Sequence, residues 1–348
     1  MKIEQCPHMS DEALASLSEA TAPPMKTIKI GLLGLGNIGT GTYKTLEMNR
    51  AEIEATVGSR VEIVKILERD TERDRGIDVP KEKFTQDPDE IFKNPEIDIV
   101  IELLGGIEPA TTFILTAMEN GKHVVTANKA AIAANYQKLM DAAKANNVTF
   151  KFEASVGGGI PILGTLTGPL RANKFQEVLG ILNGTTNYIL TMMTKEGLDY
   201  DTALKDAQEQ GFAEADPTAD VEGIDAANKL TILMALMFGK YVAPQDIPTT
   251  GITQITKEKI EEARSNGCKI KLIAHAKKLE NGEIEYAVRP MHISESHPLA
   301  NINKEFNAVF VRGNAVDDVM FYGKGAGPLP TGSAVLGDVI DIAKTVLK

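Results

Sequence analysis

The chain has 348 residues, 24% of them charged and 43% hydrophobic, which excludes a disulfide miniprotein and a disordered chain and, at roughly 150 residues per domain, implies about two domains. With 37 Lys and Arg against 48 Asp and Glu the net charge is −11, a balance that repels phosphate backbones and anionic lipid, so neither nucleic acid nor membrane is an expected partner. Only two cysteines, Cys6 and Cys268, are present; they cannot build a disulfide framework or a Cys-based zinc site, and they fit a reducing, cytoplasmic compartment.

Residues 1–24 carry acidic and polar side chains where a secretory signal needs an unbroken apolar stretch, and residues 10–20 predict a short helix capped by Ser10. From residue 27 the chain alternates strand and helix patterns. Strands are predicted at 27–33, 61–67, 97–104, 123–126 and 148–154, with helices at 37 to about 58, 109–120 and 129–145. This alternation predicts an α/β doubly wound domain with a parallel sheet covered on both faces. Beyond Gly157-Gly158-Gly159 the rhythm changes. A strand at 175–182 precedes helical stretches at 186–194, 200–210 and 221–238, the last containing an apolar run, 230–238, that is too short to cross a bilayer. Segments 270–279 and 284–293 flank an Asn281-Gly282 pair, a strong hairpin signal, and 306–312 and 317–322 predict a second hairpin. A second, α+β domain follows, and the last helix, 333–346, is expected to pack back on the first domain. The expected division is an extension over 1–26, a nucleotide-binding domain over 27–152, a second domain over 153–322 and a returning segment over 323–348.

Gly34-Leu35-Gly36-Asn37-Ile38-Gly39 lies between a predicted strand and a predicted helix. In that setting Gly34 permits a tight turn, Gly36 lets the backbone approach a pyrophosphate, Gly39 lets helix and strand pack closely, and the free N–H groups at the helix start bind the anion. A dinucleotide is the implied cofactor. At the end of the second strand Glu68 suits an unphosphorylated ribose, whereas Arg69 suits a 2′-phosphate. NAD and NADP both stay open, with Arg69 leaning to NADP.

Residues 207–229 hold the densest chemistry, with Glu214, Asp216, Asp220, Glu222, Asp225 and Lys229 in one stretch. Asp225 and Lys229 are four apart and share one face of a helix that the following apolar run predicts to be largely buried. Desolvation lowers the pKa of a buried lysine and neighbouring anions raise it, which makes Lys229 a candidate proton donor or acceptor. The same spacing also fits an ordinary surface ion pair.

This segment resembles homoserine dehydrogenase, whose signature runs Ala-x3-Gly, an aliphatic or aromatic residue, a small one, then Asp-Pro-x-x-Asp-x-x-Gly-x-Asp-x3-Lys. Here Ala207, Gly211, Phe212, Ala213, Asp216, Pro217, Asp220, Gly223, Asp225 and Lys229 stand in that order and spacing. The resemblance extends over 31–39, 102–106, 126–129, 153–161, 182–187 and 323–333. It implies an oxidoreductase that interconverts L-aspartate 4-semialdehyde and L-homoserine with NAD or NADP, in the branch leading to threonine, methionine and isoleucine. It also implies a homodimer or homotetramer formed through the second domain.

Carried over residue by residue, the resemblance makes Lys229 the acid/base, Asp225 its partner, and Glu214 and Asp220 acids of the substrate pocket. It places Lys129 near nicotinamide and substrate, Gly184 and Thr185 at the substrate, Gly327 at the cofactor, and a monovalent cation such as sodium on Glu153, Val156, Gly158 and Ile160. Many bacterial relatives carry a C-terminal regulatory ACT domain, for which the residues after Ser333 leave no room. The five histidines lack partners at catalytic spacing and read as structural or surface residues. A thiol-dependent semialdehyde dehydrogenase would need an activated cysteine in the second domain, and Cys268 lacks that setting. A protein that senses NADP without chemistry would not need the Asp225 and Lys229 pair.

Overall fold

A computed structural model describes residues 26–347. The expected helix at 10–20, the reading of residues 1–24 and Cys6 lie outside the described residues. The first half builds a six-stranded parallel sheet from β1 (Ile28–Leu33), β2 (Val61–Leu67), β3 (Phe84–Thr85), β4 (Ile99–Glu102), β5 (His123–Thr126) and β6 (Phe150–Lys151). Their order is β3-β2-β1-β4-β5-β6, with the crossover between β1 and β4 that defines a doubly wound sheet. Both faces are covered, so β1 and β4 are apolar almost throughout.

The longer helices of this half are α1 (Asn37–Met48), α2 (Arg50–Val57), α3 (Ala110–Glu119) and α4 (Lys129–Ala145). The single helix expected over 37–58 is two, broken at Asn49, whose φ of −118° and ψ of 22° lie outside the helical region. The break turns α2 so that Ile53 and Val57 reach the sheet, and Arg50 ties it down by donating to the Val61 carbonyl at 2.7 Å. The strand expected over 97–104 stops at Glu102, because that carboxylate accepts the Leu104 N–H at 2.7 Å and folds the chain over. The strand expected over 148–154 stops at Lys151, because the Glu153 N–H goes to Asp338 Oδ2 at 2.8 Å instead of to a neighbouring strand.

The second half is a five-stranded antiparallel sheet with helices on one face. Its strands are β7 (Phe175–Ile181), β8 (Cys268–Lys278), β9 (Ile284–Ser294), β10 (Phe306–Gly313) and β11 (Asp317–Lys324), in the order β11-β10-β7-β8-β9. The Asn281-Gly282 hairpin joins β8 to β9 in register from Cys268 opposite Ser294 to Lys278 opposite Ile284. Helices α5 (Gly184–Glu196) and α7 (Ile224–Phe238) pack on the sheet, α6 (Tyr200–Glu209) packs on α5, and α7 is buried nearly all round.

The last helix, α8 (Pro328–Val346), starts five residues before the expected 333, with prolines in its first turn where the missing N–H costs nothing. Its Val335, Leu336, Val339 and Ile342 share one core with Ile28, Ile30 and Leu32 of β1. It also lies against α1 so closely that a Cβ on Gly41 would come within 2.2 Å of the Pro328 carbonyl oxygen. The chain's end therefore closes the first half, and the segment leading into it crosses the mouth between the two sheets.

Candidate active site

A cleft of roughly 1190 Å³ opens between the carboxyl edge of the parallel sheet and the helical face of the second sheet, the place where doubly wound folds bind ligands. Leu35, Gly36, Asn37 and Ile38 line one end. Gly36 is the N-cap of α1 with no side-chain cap, and nothing stands within 4 Å of where its Cβ would project. The helix start thus presents bare N–H groups to open space, a cradle for an anion. Gly34 and Gly39 are absent from the lining. They support the turn, since a Cβ on Gly39 would reach 2.2 Å from the Gly34 carbonyl oxygen.

Arg69 is exposed and stands outside the lining; Arg73, Asp74 and Arg75 occupy that wall. Glu68 holds the glycine turn itself, accepting the Leu35 N–H at 2.9 Å while Arg75 pairs with the same oxygen at 3.4 Å. Arg75 is spent on the protein, donating to the carbonyls of Leu35, Asp70 and Arg73. Arg73 is exposed at the cleft with its guanidinium turned to no carboxylate among the described residues. Sequence reasoning missed it because it sits in an irregular charged loop with no period to place it.

At the other end the structure gathers Lys129, Gly184, Thr185, Glu214, Asp220, Asp225 and Lys229 in the lining. Lys229 is 8% exposed and donates to Asp225 Oδ2 at 2.7 Å and to the Leu182 carbonyl at 2.6 Å. An ammonium has three N–H bonds, so one remains for the cleft. This is no surface ion pair. Lys129 opens α4 under the Asn128 cap and reaches Asp225 Oδ1 at 3.1 Å from the opposite wall. Asn183, the cap of α5, donates through Nδ2 to Asp225 Oδ2 at 2.9 Å and to Asp220 Oδ1 at 2.7 Å, joining the two carboxylates. Thr185 donates to the Phe212 carbonyl at 2.6 Å and lies 3.1 Å from Asp220 Oδ2. Sequence reasoning did not single out Asn183, although it lies within the 182–187 stretch of the resemblance.

These contacts set the charges. Burial alone would raise the Asp225 pKa, but the Lys229 and Lys129 ammoniums override it and keep the carboxyl well below the usual range. Burial lowers the Lys229 pKa, Asp225 opposes that, and the like charge of Lys129 adds to it. Asp225 raises the pKa of Lys129, against burial. Burial also raises that of Asp220. Lys229 therefore gives up its proton more readily than an ordinary lysine while Asp225 stays ionised.

Gly158 lies in the lining, whereas Glu153, Val156 and Ile160 sit behind it. Among the described residues no group of three or more His, Cys, Asp or Glu side chains could hold a metal, so a cation here would rest on oxygens of the 153–160 turn. The Glu153 carboxylate already accepts the N–H groups of Leu163 and Gly164 at the start of a short helix, and the Ile160 carbonyl accepts that of Ile162 at 2.9 Å. Each of these oxygens keeps a second lone pair, and an all-oxygen set suits a hard cation.

A glycine-turn helix start at one end of a cleft, and a buried lysine beside an ionised aspartate at the other, define a nicotinamide-dependent oxidoreductase of the doubly wound class. Comparison with known proteins narrows this. The family model for homoserine dehydrogenase matches residues 161–340, and that for the homoserine dehydrogenase NAD-binding domain matches 34–153. The chain is 44% identical to the homoserine dehydrogenase of Bacillus subtilis, covering 92% of this chain and 74% of that one, and 45% identical to that of Synechocystis, covering 91% and 73%. Among solved structures, a homoserine dehydrogenase from Thiobacillus denitrificans superposes with a TM-score of 0.89 at 43% identity, over 92% of this chain and 74% of that one. A hyperthermophilic archaeal homoserine dehydrogenase in complex with NADPH superposes with a TM-score of 0.76 at 27% identity, over 90% and 97%. The chain belongs to the homoserine dehydrogenase family of NAD(P)-dependent oxidoreductases.

Proposed function

We propose that this protein interconverts L-aspartate 4-semialdehyde and L-homoserine with NADP(H), Lys229 exchanging the proton. The observation that carries this reading is the Lys229 ammonium, buried between Asp225 Oδ2 and the Leu182 carbonyl with one N–H left for the cleft. When bound, a nicotinamide would supply or take the hydride. In reduction Lys229 delivers its proton to the aldehyde oxygen as it becomes an alkoxide; in oxidation the neutral amine takes the hydroxyl proton. Asp225 holds Lys229 in place, and Asn183 holds Asp225. Glu214 and Asp220 are the acids for the substrate ammonium, and Gly184 and Thr185 at the start of α5, with Lys129, serve its carboxylate. Loss of NADPH consumption in Lys229→Ala, with NADPH binding kept, tests this. A folded wild type that binds NADPH and reduces no aspartate semialdehyde overturns it.

For the cofactor, Leu35, Gly36, Asn37 and Ile38 receive the pyrophosphate, with Gly34 and Gly39 behind them, and Gly327 approaches from the segment before α8. NADP is favoured through Arg73, in place of Arg69, because Glu68 is committed to the glycine turn and neutralised by Arg75. A sodium ion on Glu153, Val156, Gly158 and Ile160 would stiffen the turn between the two halves. The domain division at 152/153, with 323–348 returning to the first domain, is supported by the change of sheet and by the core that α8 shares with β1. Self-association as a homodimer or homotetramer through the second domain is supported by the exposed Met320 and Tyr322 on β11. A cytoplasmic location fits the two cysteines; no described helix is long and apolar enough to cross a membrane.

A further inference from the structure

Asn307, on β10, is 1% exposed and lines the cleft, and its Oδ1 is buried with no hydrogen-bond partner among the described residues. Buried polar side chains are ordinarily paired, and an unpaired one in the wall of a binding cleft calls for a ligand group. Its position is well defined. Side chains alternate along a strand, so Asn307 shares the face of Val309 and Val311, toward the helices and the cleft. It pairs with Gly323 on β11, and the ladder that sets Ala308 opposite Ile181 brings it opposite Leu182, whose carbonyl receives the Lys229 ammonium.

The carboxamide is pressed against Gly325, where an added Cβ would lie 1.9 Å from Asn307 Nδ2, so only glycine fits over it. The strand's start is clamped as well. Asn187 Nδ2 donates to the carbonyls of Ile302, Lys304 and Phe306, and the buried Lys271 bonds both Asn187 Oδ1 and the Ile302 carbonyl.

We propose that Asn307 reads the nicotinamide carboxamide: its oxygen accepts that group's N–H, its nitrogen donates to that group's carbonyl, and the pair sets which way the ring faces Lys229. This rests on the nicotinamide reading above. The reacting carbon must lie between the hydride donor and Lys229, which brings the ring to this end of the cleft, away from the helix start at Gly36. The substrate's ammonium already has Glu214 and Asp220 for partners and its carboxylate needs donors, whereas an amide side chain with both an acceptor and donors matches a primary carboxamide.

Calorimetric titration without substrate tests the proposal, using NADP+ and its 3-acetylpyridine analogue, in which a methyl replaces the carboxamide NH2. Wild type is expected to bind the analogue about tenfold more weakly, roughly 1.4 kcal/mol. Asn307→Ala is expected to bind NADP+ about tenfold more weakly and the two cofactors within about twofold of each other. Asn307→Asp keeps the accepting oxygen and the shape, and is expected to keep the preference for NADP+. Wild-type discrimination retained in Asn307→Ala overturns the proposal, as does its loss in Asn307→Asp. A raised KM for homoserine with cofactor discrimination intact also overturns it, by assigning Asn307 to the substrate. A wild type that binds neither cofactor overturns the nicotinamide reading itself.

Discussion

At the scale of single residues, the proposed mechanism rests on one lysine being a better acid than lysine is in water. Burial and the nearby Lys129 lower the Lys229 pKa, and Asp225 limits the fall. Oxidation of homoserine needs the neutral amine, so its rate is expected to rise with pH through the lowered Lys229 pKa, and reduction, which needs the ammonium, to fall over the same range. In Lys129→Met the like charge is gone, so the oxidation limb is expected to move to higher pH; pH–rate profiles of kcat/KM for both proteins check the shift. A limb unmoved or shifted to lower pH would deny Lys129 this electrostatic role. The Asp225 and Lys229 pair was legible because its i,i+4 spacing, which alone also fits a surface ion pair, falls inside the signature shared with homoserine dehydrogenase. Its burial was expected from the apolar run that follows; the partners that close over it, Leu182 and Asn183, more than forty positions away, were not legible.

At the scale of elements, two packings carry consequences of their own. The α1 and α8 helices touch at Gly41, and Gly41→Ala would drive a methyl to 2.2 Å from the Pro328 carbonyl oxygen. Overpacking of this kind costs about 1–3 kcal/mol, so the urea midpoint is expected to drop. The neighbouring 325–327 segment is expected to shift with it and weaken cofactor binding; an unchanged midpoint would show that the two helices separate freely. On β8, burial holds the Lys271 pKa down at about 7. The unfolded chain keeps that proton to about pH 10, so the folded state loses it first. Stability from this group is greatest above the unfolded pKa, falls as pH drops toward 7, and is flat below. Between pH 7 and 9 the wild type is expected to gain about 2 kcal/mol relative to Lys271→Met, measured by urea unfolding at both values; equal slopes would refute it. Strand and helix periods were legible in outline, as His123–Thr126 and Lys129–Ala145 attest. Of the ends that differed, Glu102 is where a local carboxylate turns the chain, Lys151 is where a distant side chain takes the backbone's bond, and Asn49 is where the backbone leaves helical dihedrals.

At the scale of the molecule, a net charge of −11 has to admit an anionic cofactor, and the cleft offers local positive groups for one: the helix start at Gly36 and the Arg73, Lys129 and Lys229 side chains. Arg73→Ala is expected to raise the KM for NADPH about tenfold or more while leaving that for NADH nearly unchanged. The wild-type KM for NADPH is expected to climb with salt and the variant's to climb less. Equal losses with both cofactors would remove Arg73 from the 2′-phosphate.

The sequence by itself determined the doubly wound half, the second sheet, the glycine turn and the Asp225 and Lys229 pair, because each is written in local period or spacing. Tertiary structure alone decided which arginine faces the cleft, how Asn183 and Leu182 hold the Asp225 and Lys229 pair, and that Asn307 ends up buried without a partner among the described residues. Those are meetings of residues far apart in the chain, and their energies come from desolvation and hydrogen bonding that exist only once the two halves close on each other.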